Sequence, residues 1–165
     1  MTVRNKNEPQ RRTAYTGVIL CRTDEADEDT RQAELSLSSE EPCRRWFGDE
    51  ILSHDAGAID LSRLKEIGVV LFNHNRDRVI GRVLSVRLDE VTRKLRAVIQ
   101  FDEDEESECV YQKVRSGTLK GVSVGYTVDV WEEVKAGATS TNGRFTGPCE
   151  VATRWTPYEL SIVSV

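Results

Sequence analysis

From Leu119 to Val134 the chain carries its longest strand pattern: Val122, Val124, Tyr126, Val128 and Val130 take every second position. A period of two puts those side chains on one face of an extended strand, and a helix cannot satisfy it. The same alternation recurs elsewhere. Ala33, Leu35 and Leu37 share one side of 32–37, and Leu95, Ala97, Ile99 and Phe101 share one side of 95–101. Ile80, Leu84, Val86 and Leu88 are expected on one face of 79–88, which the turn 89–94 joins to 95–101 as a hairpin. Residues 14–21, 69–72 and 150–165 complete the strand set, with Pro157 marking a bend or an edge.

Helical signals are few. Asp102 with Glu105 fits a capping box, acids crowd the first half of the following segment, and Lys113 and Arg115 sit in its last turn. This predicts a helix over 102–117, with Val110 and Val114 inward and Gly117 as the stop. A shorter helix is expected around Leu61, Leu64 and Ile67, capped by Asp60 and ended by Gly68. Asp24 to Asp29 holds five acids in six residues and reads as a solvated loop. The expected fold is therefore α+β and mainly β: a closed or partly closed antiparallel barrel of about seven strands with one or two surrounding helices. Residues 1–12 read as a disordered segment and 13–165 as one domain. The chain ends inside the apolar run Ser161–Val165, so the natural polypeptide is expected to continue beyond it or to be cut there.

Composition narrows the function. The net charge is −5, whereas a duplex-DNA binder presents a basic footprint. No run approaches the ~20 apolar residues of a spanning helix. Cys21, Cys43, Cys109 and Cys149 match no zinc spacing and read as reduced thiols in a cytosolic compartment. No metal or cofactor is expected. His54 and His74 are the two histidines, which limits imidazole chemistry to two positions.

Gly121-Val122-Ser123-Val124-Gly125 is literally G-x-S-x-G. A nucleophile elbow needs a sharp turn from strand to helix, but here the alternation runs straight through, and both histidines precede the serine. On the face opposite the valines, Ser123 stands between Gly121 and Gly125, which leaves open space above its hydroxyl. A substrate could fill that space; the residues alone favour the plainer reading, close backbone packing over a satisfied serine. His74 follows a buried strand and heads a polar loop, where it suits either a base reaching into a groove or an ordinary surface histidine. His54, beside Asp55, reads as a local turn residue. A serine nucleophile needs a base, and the base gains from a third group that fixes its tautomer. Glu159, alternating with apolar neighbours in Tyr158–Ile162, is the candidate third group or else the solvent face of an edge strand.

Four segments together, Glu50–Leu64, Val69–Val83, Ser116–Tyr126 and Trp155–Val165, resemble the prohead (capsid-maturation) proteases of tailed bacteriophages. The features that carry the resemblance are the Asn-His after an apolar strand, the Ile-Gly-Arg-Val step that follows, and the G-x-S-x-G strand. The resemblance implies a serine endopeptidase with a herpesvirus-protease-like barrel. It implies His74 as general base, Ser123 as nucleophile and Glu159 in the place of the second histidine of the herpesvirus enzymes. It also implies action inside the procapsid, assembled in the bacterial host cytoplasm, on scaffold protein, on the N-terminal extension of the major capsid protein, and on the protease itself. The herpesvirus relatives imply a homodimer. No nucleic acid or membrane partner is expected.

Two other classes compete. One is a catalytically silent barrel that binds capsid or scaffold. The other is a single-strand nucleic-acid-binding barrel using Trp46, Trp131 and Trp155, which the acidic balance opposes. A cysteine-protease variant built on Cys109 lacks a nearby histidine motif.

Overall fold

The alternating stretches pair into one sheet in the computed structural model, which describes residues 11–22 and 30–164. In chain order the elements are β1 (Arg11–Arg22), β2 (Gln32–Ser38), β3 (Cys43–Arg45), β4 (Gly48–Leu52), α1 (Ser62–Ile67), β5 (Val69–Phe72), β6 (Asn75–Asp89), β7 (Lys94–Phe101), α2 (Glu105–Arg115), β8 (Gly121–Val134) and β9 (Cys149–Val163). The strand order is β3-β4-β9-β5-β6-β7-β2-β1-β8, and β8 pairs again with β9. The pairing path from β9 through β8 therefore returns to its start, and the sheet curls into a barrel-like shell of mainly β structure. The acid run 24–29 lies outside the described residues, as do residues 1–10 of the segment read as disordered; Arg11 and Arg12 already belong to β1.

Two pairings are parallel, β4–β9 and β5–β9. The connection between β4 and β5 carries α1, so both strands can run the same way along one side of β9, as a helical crossover permits. The remaining ring pairings are antiparallel.

The inward faces make the core. Ala33, Leu35, Leu95, Ile99, Val124, Leu160 and Ile162 have no exposed surface. Trp155 sits at its centre, edge-on to Tyr126 with 5.7 Å between ring centroids. Its indole N–H donates to the Ser53 carbonyl at 2.9 Å, and its backbone bonds to Ala58 and Asp60 on the way into α1.

Three expectations shift. On β6 Leu84 is the bulged residue between Val83 and Ser85, so it leaves the pairing with β7 and turns outward, while Ile80 and Val86 are buried as expected. The long helix is capped two residues later than the capping-box pattern indicates: Asp104 accepts from the Ser107 N–H, with Asp102 outside it. Asp60 bonds the N–H and hydroxyl of Ser62, but Gly68 ends α1 in an extended conformation, not a left-handed one. Its lack of a side chain is steric, since a Cβ there would lie 2.1 Å from the Leu64 carbonyl oxygen.

Candidate active site

His74 is aimed by a two-residue turn. The expected loop 73–77 is in fact only Asn73 and His74, both left-handed (φ 51° and 59°), after which β6 begins at Asn75. Asn and His are among the residues that most readily adopt this conformation. The turn is tied at three points to β9 and the residue that follows it. The Asn73 N–H donates to the Ile162 carbonyl at 2.9 Å, the Asn73 side-chain oxygen accepts the Ser164 N–H at 3.0 Å, and the His74 N–H donates to Ser161 Oγ at 3.1 Å.

Ser123 comes from the middle of β8. In the antiparallel register Ser123 faces Ser161 and Gly125 faces Glu159. All four residues therefore share the outer face of the β8–β9 pair, because positions two apart on a strand point the same way. His74 Nε2 lies 2.8 Å from Ser123 Oγ, and His74 Nδ1 bonds Glu159 Oε1. A carboxylate at Nδ1 holds the proton on that nitrogen and leaves the Nε2 lone pair facing the serine hydroxyl. Ser161 Oγ donates to the same Glu159 oxygen at 3.0 Å.

Ser161 was not visible as a site residue in the sequence. It is fully buried, and it links the backbone of His74 to the carboxylate that His74 contacts. The signal was present in the spacing: Glu159-Leu160-Ser161, run antiparallel against Ser123-Val124-Gly125, puts Ser opposite Ser and Glu opposite Gly.

That register also explains one glycine of G-x-S-x-G. A Cβ on Gly125 would lie 3.0 Å from Glu159 Cβ and 3.1 Å from its Oε2. Gly125→Ala is expected to push the carboxylate off His74, so the downfield proton resonance of a carboxylate-bonded His74 Nδ1–H should be lost. An unchanged resonance in a folded Gly125→Ala protein would contradict this.

Ser123 itself has no exposed surface; the imidazole of His74 is 21% exposed and the Glu159 side chain 11%. The backbone of β1 bulges beside the serine. Ala14 pairs with Val124 and Gly17 with Val122, so Tyr15 and Thr16 together stand opposite Ser123. Bulges of this kind concentrate next to active sites.

His54, read as a local turn residue, is held in the interior by side-chain bonds of its own. It is 1% exposed, its Nδ1–H donates to the Leu52 carbonyl at 2.8 Å, and its Nε2 lies 2.8 Å from the hydroxyl of the fully buried Ser38. This second Ser–His pair is sealed in the interior. Burial holds the pKa of His54 below 6.5, and the nearby Arg144 and Arg93 act in the same direction against Glu40. The unfolded chain therefore takes up a proton at His54 that the folded chain refuses. Stability is complete above about pH 6.5 and is lost as the pH falls below it, by at most about 1.4 kcal/mol per pH unit. His54→Gln should flatten the fall in urea-unfolding free energy between pH 7 and 5.5; an unchanged slope would refute the assignment.

Cys109 lies on α2 in a groove with Arg78, Glu106 and Lys113, and neither histidine lines it. Trp155 is buried and cannot stack on a base, whereas Trp46 is largely exposed. No helix among the described residues is long and apolar enough to cross a membrane.

A family model described as caudovirus prohead serine protease matches residues 44–165. Over 134 residues the chain is 35% identical to a protein named major capsid protein from Halomonas phage phiHAP-1; the match covers 79% of this chain and 21% of that protein. The chain thus spans about a fifth of the length of that curated relative. No solved structure matches it.

Proposed function

Because the chain belongs to the caudovirus prohead serine protease family, we propose that it is a serine endopeptidase of procapsid maturation, with Ser123 as nucleophile, His74 as general base and Glu159 as the group that orients it. The observation that carries this reading is the placement of one imidazole between a serine hydroxyl at 2.8 Å and a carboxylate.

The chemistry is acyl transfer. Ser123 Oγ attacks a peptide carbonyl while His74 Nε2 takes its proton. The imidazolium, stabilised by Glu159, then gives that proton to the departing amine, leaving Ser123 acylated. Water, deprotonated by His74 in turn, releases the acyl group and restores the serine. Ser161 holds the carboxylate in place through the cycle. Since Ser123 has no exposed surface, the substrate segment must displace what lies over it before attack.

The substrates in this reading are scaffold protein, the N-terminal extension of the major capsid protein, and the protease itself, cut inside the procapsid in the bacterial host cytoplasm. The relative named major capsid protein supports a capsid substrate: there a segment similar to this chain occupies about a fifth of a polypeptide with that name. The same name, together with the burial of Ser123, favours a second reading, a silent module that binds capsid or scaffold.

Co-expression with the capsid protein of the same phage, followed by intact-mass spectrometry, separates the two. The protease reading expects defined capsid fragments with wild type and none with Ser123→Ala. Identical masses in both, with the partner bound, would favour the silent module.

A further inference from the structure

A groove of about 460 Å³ starts at Glu159 and runs along the outer face of the sheet under α1. Its walls include Ile67, Val69 and Val79, three apolar side chains that are 61%, 40% and 41% exposed. Isolated exposed apolar residues need no explanation, but a cluster in one concavity marks a binding surface. Two arginines, Arg63 on α1 and Arg76 at the start of β6, line the same groove. Both are exposed, and among the described residues neither makes an ion pair or hydrogen bond. The contrast with Arg78 is informative: two residues further on, it is paired with Glu106 and lies over the Phe72 ring. On a chain of net charge −5, two guanidinium groups that pair with none of the described residues form a local positive site beside apolar walls.

We infer that this groove is a subsite for an extended substrate segment that alternates apolar and acidic residues, its carboxylate held by Arg63 and Arg76. The inference rests on the proteolytic reading of Ser123. Thr127, at the groove, lies four residues beyond Ser123 on β8, or ~13 Å at about 3.3 Å per strand residue. The near end of the groove, Glu159, faces Gly125, two residues from Ser123, so an extended peptide crossing Ser123 along β8 brings into the groove side chains about two to four residues from the cleaved bond. A planar carboxylate suits the guanidinium fork, and the apolar walls suit its neighbours. A second copy of the chain fits less well. An isologous contact centred on the groove would bring like charges together, arginines against arginines.

The test is calorimetric titration of the whole Ser123→Ala chain with the capped pentapeptide Val-Glu-Leu-Glu-Val and with its Gln counterpart. The Glu peptide is expected to bind about tenfold more tightly. Arg63→Ala with Arg76→Ala should erase that preference, and Ile67→Asp should weaken both peptides. Equal affinities in the parent protein, no binding, or a preference that survives the double substitution would overturn the subsite. A solution mass of two chains that reverts to one with Ile67→Asp would overturn it too, in favour of self-association. Fluorophosphonate labelling of Ser123 in the wild-type chain reads the proteolytic centre separately. A serine that labels beside a groove that fails the titration removes the subsite alone; a serine that does not label removes the reading beneath it.

Discussion

Replacing His74 by asparagine should lower the rate of peptide cleavage by about 10⁴-fold or more while leaving the protein folded. The magnitude follows from the role. Without a base at 2.8 Å the Ser123 hydroxyl keeps its proton, and loss of a serine-protease base costs on that order. The folding half of the expectation follows from the turn. Its anchors are the backbone N–H of residue 74 and the side chain of Asn73, and both survive the substitution. Asparagine also tolerates the left-handed backbone that His74 adopts. The assay is cleavage of the capsid protein, with a thermal melt on the same sample. A loss below tenfold in a folded variant would remove His74 from the mechanism.

Trp155→Ala should cost about 3–5 kcal/mol of unfolding free energy, the range for deleting a large buried aromatic side chain. The indole is fully buried against Tyr126, and its N–H satisfies the Ser53 carbonyl. The substitution leaves that carbonyl without its donor as well as leaving a cavity. A domain of ordinary stability, about 5–15 kcal/mol, would be left marginal. Urea unfolding measures the effect, and a cost below about 1 kcal/mol would mean that the indole does not anchor the core through Tyr126 and the Ser53 carbonyl as described.

Alternation alone located β7 and β8 as far as Val128, where the inward face is uninterrupted; Val130, expected on the same face, lies past a bulge and is exposed. Leu95, Ala97, Ile99 and Phe101 all point inward, as do Val122, Val124, Tyr126 and Val128. The same reasoning misplaced Leu84, because it is the extra residue of a bulge and drops out of the pairing with β7, and a bulge leaves no mark on a hydrophobic pattern. The parallel pairing of β4 and β5 with β9 was illegible for a related reason: direction is set by the crossover, not by the strands.

At the site, Ser123 and His74 could be named from their flanking residues. What the sequence could not supply is the register. Only once Ser123 is set opposite Ser161, and Gly125 opposite Glu159, does Gly125 become a requirement of the carboxylate and Ser161 its anchor. A serine on an alternating strand otherwise looks like any residue on a solvent face. In the sequence the turn at Asn73 and His74 reads as part of a longer polar loop, since polar composition does not distinguish a flexible connection from a two-residue corner bonded to β9.

The most direct test of the account is the intact mass of the chain after treatment with a fluorophosphonate, with the adduct located by peptide mapping. An activated Ser123 predicts one adduct per chain, on Ser123, lost in Ser123→Ala and strongly slowed in His74→Asn. A folded chain that forms no adduct, or one that carries it on another residue, would contradict the assignment of Ser123, His74 and Glu159 as a proteolytic centre.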